Sequence, residues 1–133
     1  MRATRSNPDT VATPMGTYSH AVRVETADAT WIHVSGQIAN DLEGNLVGPG
    51  DLRAQTRQVF ENLRAILEAN GATFADVVKI GTYVTTLENL DGMREVRSEY
   101  LTAEPPASTA VQVVALVVPD AMIEIDLVAV VPA

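Results

Sequence analysis

Apolar residues recur at spacings of three and four along two segments of the chain, which is the pattern of an amphipathic helix. In the first segment they are Leu52, Val59, Phe60, Leu63, Ile66 and Leu67. Asp51 stands before this segment as an N-cap and Asn70-Gly71 follows as a stop signal, so we predict a helix from Asp51 to Ala69. The second helix is predicted from the spacing of Leu90, Met93, Val96, Tyr100 and Leu101, and Pro105-Pro106 ends it.

Shorter runs rich in β-branched residues are predicted to be strands. They are Ala21–Glu25, Thr30–Ser35, Val77–Thr86, Thr109–Val118 and Met122–Val131. Met1–Pro14 has two prolines and few apolar residues, so we predict a loose N-terminal arm that is ordered only where it docks. The predicted order is ββ, helix, β, helix, ββ, which is an α+β fold with two helices on one face of a mixed sheet.

The last two predicted strands are apolar on both faces, although a sheet face that meets water is normally polar. In the closing strand one face carries Glu124 and Asp126, then Val128 and Val130. The other face carries Ile123, Ile125, Leu127, Ala129 and Val131. The two predicted helices can cover only one of these faces. An irregular loop could cover the other face, but the chain offers no third helix, so we favour another subunit as its cover.

Length and composition limit the classes of function. The 133 residues, 47% of them hydrophobic, suit a single domain over residues 1–133. The absence of cysteine excludes a disulfide framework and a cysteine nucleophile, and two histidines make a multi-histidine metal site very improbable. The net charge of −8 disfavours nucleic-acid binding. No apolar stretch has membrane-spanning length and no signal-like segment is present, so we expect a cytoplasmic protein without a membrane partner, a metal or a cofactor.

Six short motifs, in this order and spacing, resemble the YjgF/RidA family over residues 14–131. They are Gly16–Ala21, Val34–Ile38, Gln55–Leu63, Asp76–Lys79, Pro106–Val113 and Ile123–Asp126. The resemblance implies a chorismate-mutase-like α+β fold. It also implies a homotrimer whose sheets form a central barrel, with three clefts between subunits that bind a small molecule. Well-studied members hydrolyse reactive imines and enamines, such as 2-aminoacrylate, to 2-oxo acids and ammonia without a cofactor.

The resemblance also assigns roles to individual residues. Tyr18 matches the tyrosine that closes the cleft, Ser35, Gly36 and Gln37 match the turn that completes it, and Glu124 matches the glutamate that positions the attacking water. The family's carboxylate-binding arginine is Ser108 here, and serine cannot form a bidentate, charge-assisted pair. Arg94 stands where many members have asparagine; it is either a solvated helix residue or a cation that reaches the cleft from another element.

Two functions from different classes follow. The first is hydrolysis of a small imine or enamine other than 2-aminoacrylate, with Glu124 as the catalytic residue and Tyr18, Ser35, Gly36, Gln37, Arg94 and Ser108 as substrate-binding residues. The second is a metabolite- or partner-binding trimer that has lost the chemistry. Glu124 favours the enzyme, and the missing arginine favours the binding protein. A ribonuclease is disfavoured by the net charge and by the lack of a catalytic histidine pair.

Overall fold

The computed structural model describes residues 1–133 and contains a six-stranded mixed sheet with two helices on one face. In chain order the elements are β1 (Arg2–Ser6), β2 (Ala21–Glu25), β3 (Ala29–Gln37), α1 (Leu52–Ala69), a 3₁₀ turn (Phe74–Asp76), β4 (Val77–Val84), α2 (Leu90–Tyr100), β5 (Ala107–Gln112) and β6 (Ile123–Pro132). The strand order is β1-β2-β3-β6-β4-β5, and only the β4–β5 pair is parallel. This architecture confirms the predicted α+β fold.

The predicted helices form because each has an apolar stripe that is buried in the core. The Asp51 carboxylate accepts a hydrogen bond from the Ala54 backbone N–H at 3.0 Å, so α1 begins as its N-cap predicts. Between α1 and α2 the ring of Phe60 stacks on that of Tyr100 at a centroid distance of 4.9 Å. Neither helix is long and apolar enough to cross a membrane.

Two segments differ from the sequence prediction. Arg2–Ser6 is not a loose arm but forms β1, because the free edge of β2 supplies backbone hydrogen bonds that the polar sequence does not reveal. The predicted strand Thr109–Val118 ends at Gln112, and the chain continues as a loop that leaves Val114 and Val117 almost fully exposed. The buried Gln55 amide of α1 holds the end of that loop, since it donates to the Asp120 carbonyl and accepts from the Met122 backbone N–H.

The alternation predicted for the closing strand is confirmed in β6. Ile123, Ile125, Leu127 and Ala129 are buried under the helices. The alternate residues of β6 lie on the opposite face, which carries no helix and where the neighbouring strand β3 exposes Trp31 and His33. We call this surface the open face. All six residues of the edge strand β5 are exposed as well.

Candidate functional site

A cavity of about 360 Å³ lies where the loop between β1 and β2 (residues 7–20), which we call the N-terminal loop, meets the end of β3 and the start of β6. Its walls combine apolar and hydrogen-bonding groups, as ligand sites commonly do. Five of the residues selected from the sequence line it, namely Tyr18, Ser35, Gly36, Gln37 and Glu124. We call it the Glu124 cavity.

A β-bulge shapes one wall of the cavity. The pairing of β3 with β6 shifts its register between Val34 and Gln37, which places Ser35 and Gly36 in the irregular stretch. The Ser35 hydroxyl donates to the Ser19 carbonyl at 2.6 Å, and the buried Gln37 amide donates to the Ser35 carbonyl at 3.2 Å. These two side chains hold the bulge against the N-terminal loop.

The N-terminal loop is fixed from the other side by a buried histidine. The His20 ring lies 3.1 Å from the Gln37 amide nitrogen through Nδ1 and 2.6 Å from the Ala12 carbonyl through Nε2. Because the amide nitrogen donates, Nδ1 accepts, and Nε2 therefore carries the proton that goes to Ala12. Sequence reasoning missed His20 as a determinant of the cavity, although it belongs to the Gly16–Ala21 motif.

Glu124 projects from β6 into the cavity and crosses directly over Gly36. A Cβ atom at position 36 would lie 2.8 Å from both Cδ and Oε2 of Glu124, closer than real Cβ contacts allow. Glycine at position 36 thus leaves the space that the carboxylate occupies. No ion pair or hydrogen bond within the chain involves the half-buried Glu124 carboxylate, which leaves it free to bind water or a ligand.

The electrostatics around Glu124 favour a carboxyl group that holds its proton more tightly than usual. Burial raises the pKa of Glu124, and the negative charge of Asp126 on the same strand face raises that pKa further. Asp126 lies over Gly81 and accepts a hydrogen bond from the Tyr83 hydroxyl at 3.1 Å. That hydrogen bond to Asp126 is the main cause that raises the pKa of Tyr83.

Tyr18 lies at the mouth of the cavity with 43% of its surface exposed. Its hydroxyl accepts a hydrogen bond from the Met15 backbone N–H at 3.2 Å, and its ring meets the His20 ring edge-on at a centroid distance of 6.3 Å. The position of Tyr18 suits a residue that covers the opening of the cavity, since much of its side chain is exposed and few contacts restrain it.

The remaining two selected residues, Ser108 and Arg94, line a different cavity of about 370 Å³ between α2 and β5. Ser108 pairs with Ile80 of β4, whereas Glu124 pairs with Tyr83. Positions 80 and 83 of one strand point to opposite faces, so Ser108 and Glu124 lie on opposite faces of the sheet. One chain therefore does not bring all seven residues together.

Arg97 is a second residue that sequence reasoning missed. Its Nη2 donates to the Ser108 hydroxyl at 3.1 Å, whereas the Arg94 guanidinium is exposed and lies 3.6 Å from the Asp91 carboxylate. Arg94 and Arg97 are three residues apart on α2, and the sequence does not show which of them contacts β5. The tertiary structure places Arg97 next to β5. No group of three or more His, Cys, Asp or Glu side chains is arranged to hold a metal ion.

Comparison with known proteins gives consistent results. Residues 9–131 match the family model described as endoribonuclease L-PSP. A RutC family protein from Pyrococcus abyssi is 41% identical over 87% of each chain, and a 2-iminobutanoate/2-iminopropanoate deaminase from Dermatophagoides farinae is 32% identical over 77% of each chain. The crystal structure of a Thermotoga maritima protein superimposes with a TM-score of 0.89 at 36% identity and covers both chains completely.

Proposed function

The chain belongs to the endoribonuclease L-PSP family, also called the YjgF/RidA family, and on this premise we propose that it is a homotrimeric hydrolase of a small imine or enamine. The relative from Dermatophagoides farinae, named as a deaminase of two 2-imino acids, supports this reaction class. The products are a carbonyl compound and ammonia. Because Ser108 replaces the arginine that the family resemblance leads us to expect, the preferred substrate differs from 2-aminoacrylate.

The observation that carries the proposal is the free carboxylate of Glu124. It is half-buried, lies over Gly36 without a partner in the chain, and has a raised pKa because of burial and of Asp126. A carboxylate with a raised pKa is a stronger base than an ordinary glutamate. Glu124 is therefore suited to orient a water molecule and accept its proton.

The proposed reaction balances with water alone. Glu124 removes a proton from water while the oxygen attacks the C=N carbon, and Glu124 then passes that proton to the nitrogen to give a neutral carbinolamine. The carbinolamine then transfers its hydroxyl proton through Glu124 to the nitrogen, the C–N bond breaks, and ammonia and the carbonyl compound leave. An enamine enters the same sequence after protonation at its β-carbon.

The homotrimer is proposed from surfaces that a single chain leaves uncovered. The open face has no helix, β5 is exposed on both sides, and Val114 and Val117 project from the following loop into solvent. Apolar surface of this extent is typical of subunit contacts. The Glu124 cavity lies next to this surface, because Val117 contributes to its wall.

An imine-hydrolysis assay tests the proposal. An amino-acid oxidase generates 2-imino acids in situ from several amino acids, and ammonia release is followed with and without the protein. Glu124→Gln keeps the shape of the side chain but removes the base, so turnover should fall by roughly a hundredfold or more. Glu68→Gln, on the exposed side of α1, is the matched control and should keep full activity.

Loss of activity counts as evidence only if Glu124→Gln keeps the same oligomeric mass as the unchanged protein. If Glu124→Gln dissociates the oligomer while activity per oligomer is unchanged, Glu124 is structural and the site assignment is wrong.

A non-catalytic metabolite- or partner-binding trimer is the second candidate. The observation that favours it is Ser108, which stands in place of the carboxylate-binding arginine that the family resemblance leads us to expect. In that case no imine would be hydrolysed faster than in buffer, and Glu124→Gln would change ligand affinity only modestly.

A further inference from the structure

Part of the wall of the Glu124 cavity is apolar, and it combines a fixed portion with an exposed one. Its largest non-aromatic apolar residues are Val11, Met15, Ile38 and Val117. Val11 and Ile38 are buried, so the surrounding structure fixes their side chains. Met15 and Val117 are exposed, and 90% of the surface of Val117 is accessible to solvent. A ligand in the cavity can therefore cover apolar surface that the chain itself leaves in water.

Val117 lies in the loop of residues 113–122, which connects β5 to β6 and is held at its two ends. At one end the Val113 N–H donates to a backbone carbonyl of β4 at 2.8 Å. At the other end the side-chain amide of Gln55 binds backbone groups of the loop. The N–H groups of residues 114–117 donate no backbone hydrogen bond, so this stretch can move towards the cavity without breaking one.

Exposure alone does not make Val117 a binding residue, because single apolar side chains are common on protein surfaces. Val114 is in the same loop and is fully exposed, yet it lines a different cavity beside Pro119. Val117 is distinguished by its place on the wall of the cavity that contains Glu124. An apolar group bound there would gain about fourfold in affinity for each methylene that is removed from water.

We propose that Val117 is a specificity-determining residue of the Glu124 cavity, which contacts the apolar chain of the bound substrate and favours a longer chain over a shorter one. The inference rests on the function proposed above, because Glu124 must lie at the reacting carbon of the same ligand. The chain extends from that carbon along Val11 and Ile38, and Val117 covers it from the solvent side. The cavity volume of about 360 Å³ restricts this chain to a few carbons.

Threonine at position 117 tests the contact while the shape of the side chain is kept. Val117→Thr retains both branches at Cβ but replaces a methyl group by a hydroxyl, which weakens an apolar contact. Imines are generated in situ from alanine, 2-aminobutanoate and 2-aminopentanoate, which differ by one methylene each. In the unchanged protein kcat/KM should rise along this series by up to about fourfold per methylene. In Val117→Thr the rise should be much smaller, with little change for the shortest imine.

Val114→Thr is the matched control, since Val114 has the same side chain in the same loop but no place in the Glu124 cavity. It should keep the chain-length dependence of the unchanged protein. Light scattering checks that both threonine variants keep the oligomeric mass, because both valines belong to surface that we assign to subunit contacts.

Val117→Ile decides the question if Val117→Thr loses oligomeric mass. Isoleucine keeps the apolar surface and adds one methylene, which takes up room that the substrate chain needs. The preference should therefore move towards the shorter imines. A chain-length dependence that is the same in Val117→Ile as in the unchanged protein would overturn the contact.

Binding of the corresponding 2-oxo acids, followed by amide chemical shifts, separates this inference from the hydrolysis itself. If no imine is hydrolysed but affinity rises with chain length in the unchanged protein and not in Val117→Thr, the hydrolysis is refuted and the contact stands. If Val117→Thr keeps the full chain-length dependence, Val117 does not set specificity. Absence of both turnover and binding with every member of the series overturns the inference together with the proposed function.

Discussion

At the scale of single residues, the Glu124 cavity depends on a small residue beneath a charged one. Glu124 occupies the space over Gly36, as Asp126 occupies the space over Gly81, where a Cβ atom would lie 2.5 Å from the Asp126 Oδ1 atom. The two carboxylates are two positions apart on one strand, so they point to the same face and repel each other. Glycine at positions 36 and 81 thus leaves space for the two carboxylates, which any larger residue at these positions would displace.

Gly36→Ala should reduce activity by displacing Glu124. The new methyl group would lie 2.8 Å from the Glu124 carboxyl carbon, so the carboxylate must move by several tenths of an ångström from its position in the cavity. We expect kcat to fall by roughly tenfold or more, because catalytic groups tolerate little displacement. Gly92→Ala is the control: its Cβ meets only the flexible end of Arg53, at 3.5 Å, and activity should persist.

The pH dependence of activity should report the raised pKa of Glu124. In the proposed role of general base Glu124 must be ionised, so kcat/KM should rise with pH through its pKa, above the ordinary value of 4.5. Asp126→Asn removes the repulsion that is the second cause of the raised pKa. The rise of kcat/KM should therefore move to lower pH, but it should stay above the ordinary pKa of a glutamate because burial remains. If the pH at which kcat/KM rises is the same in Asp126→Asn as in the unchanged protein, Asp126 does not raise the pKa of Glu124.

The same raised pKa has a consequence for stability. Since the folded-state pKa of Glu124 lies above that of the unfolded chain, its contribution to stability is present at low pH and is lost as the pH rises through the folded pKa. Glu124→Gln should therefore gain stability relative to the unchanged protein as the pH rises above the ordinary value of 4.5, as measured by urea midpoints at each pH.

At the scale of elements, one buried side chain of α1 connects the helix to two loops. The Gln55 amide nitrogen donates to the carbonyls of Gly48 and Asp120, and its oxygen accepts from the Met122 N–H at 2.8 Å. The loop that follows β5 has little regular hydrogen bonding of its own, so this contact positions it. Asp120 has a φ of 69°, and the bond to its carbonyl helps to hold that left-handed conformation.

Gln55→Leu should destabilise the fold by about 3 kcal/mol, because three backbone groups lose their partner in a buried site. Chemical denaturation would show this as a lower midpoint with an unchanged slope. Gln58→Leu is the matched control, since Gln58 contacts only the Asn62 side chain through its amide, and it should cost less than about 1 kcal/mol.

At the scale of the whole molecule, the two faces of the sheet differ in how far they are buried. The helix-covered face of the sheet is buried, whereas the open face and both sides of β5 are not. Val111 belongs to this uncovered surface: it pairs with Tyr83 on the open face and is 42% exposed. An assembly that covers these residues would also close the region beside the Glu124 cavity.

Light scattering should give a mass three times that of the 14.2 kDa chain at micromolar concentration. Val111→Asp should lower this mass, because a carboxylate in an apolar contact is costly to desolvate. Val22→Asp, on β2 at the far side of the same open face, probes how far the contact extends. A monomeric mass for the unchanged protein would refute the trimer.

Local pattern accounts for most of the fold and for part of the site. The spacing of Val59, Phe60, Leu63 and Ile66 specifies α1, and alternation specifies β6, because each pattern needs only a surface to be buried against. Strand β1 was not predicted, because the residues Arg2–Ser6 are mostly polar and form a strand only by pairing with the edge of β2. The end of β5 at Gln112 was missed because Gln55, far away in sequence, holds the loop that follows.

The sequence by itself determined the fold class, both helices, the family and the carboxylate at position 124, because these depend on residue types and short spacings. Only the tertiary structure decided which selected residues meet. It joined Tyr18, Ser35, Gly36, Gln37 and Glu124 around one cavity, and it placed Arg94 and Ser108 elsewhere, beside Arg97. The physical reason is strand register: a shift of one residue moves a side chain to the other face of the sheet, and long-range pairing alone sets that register.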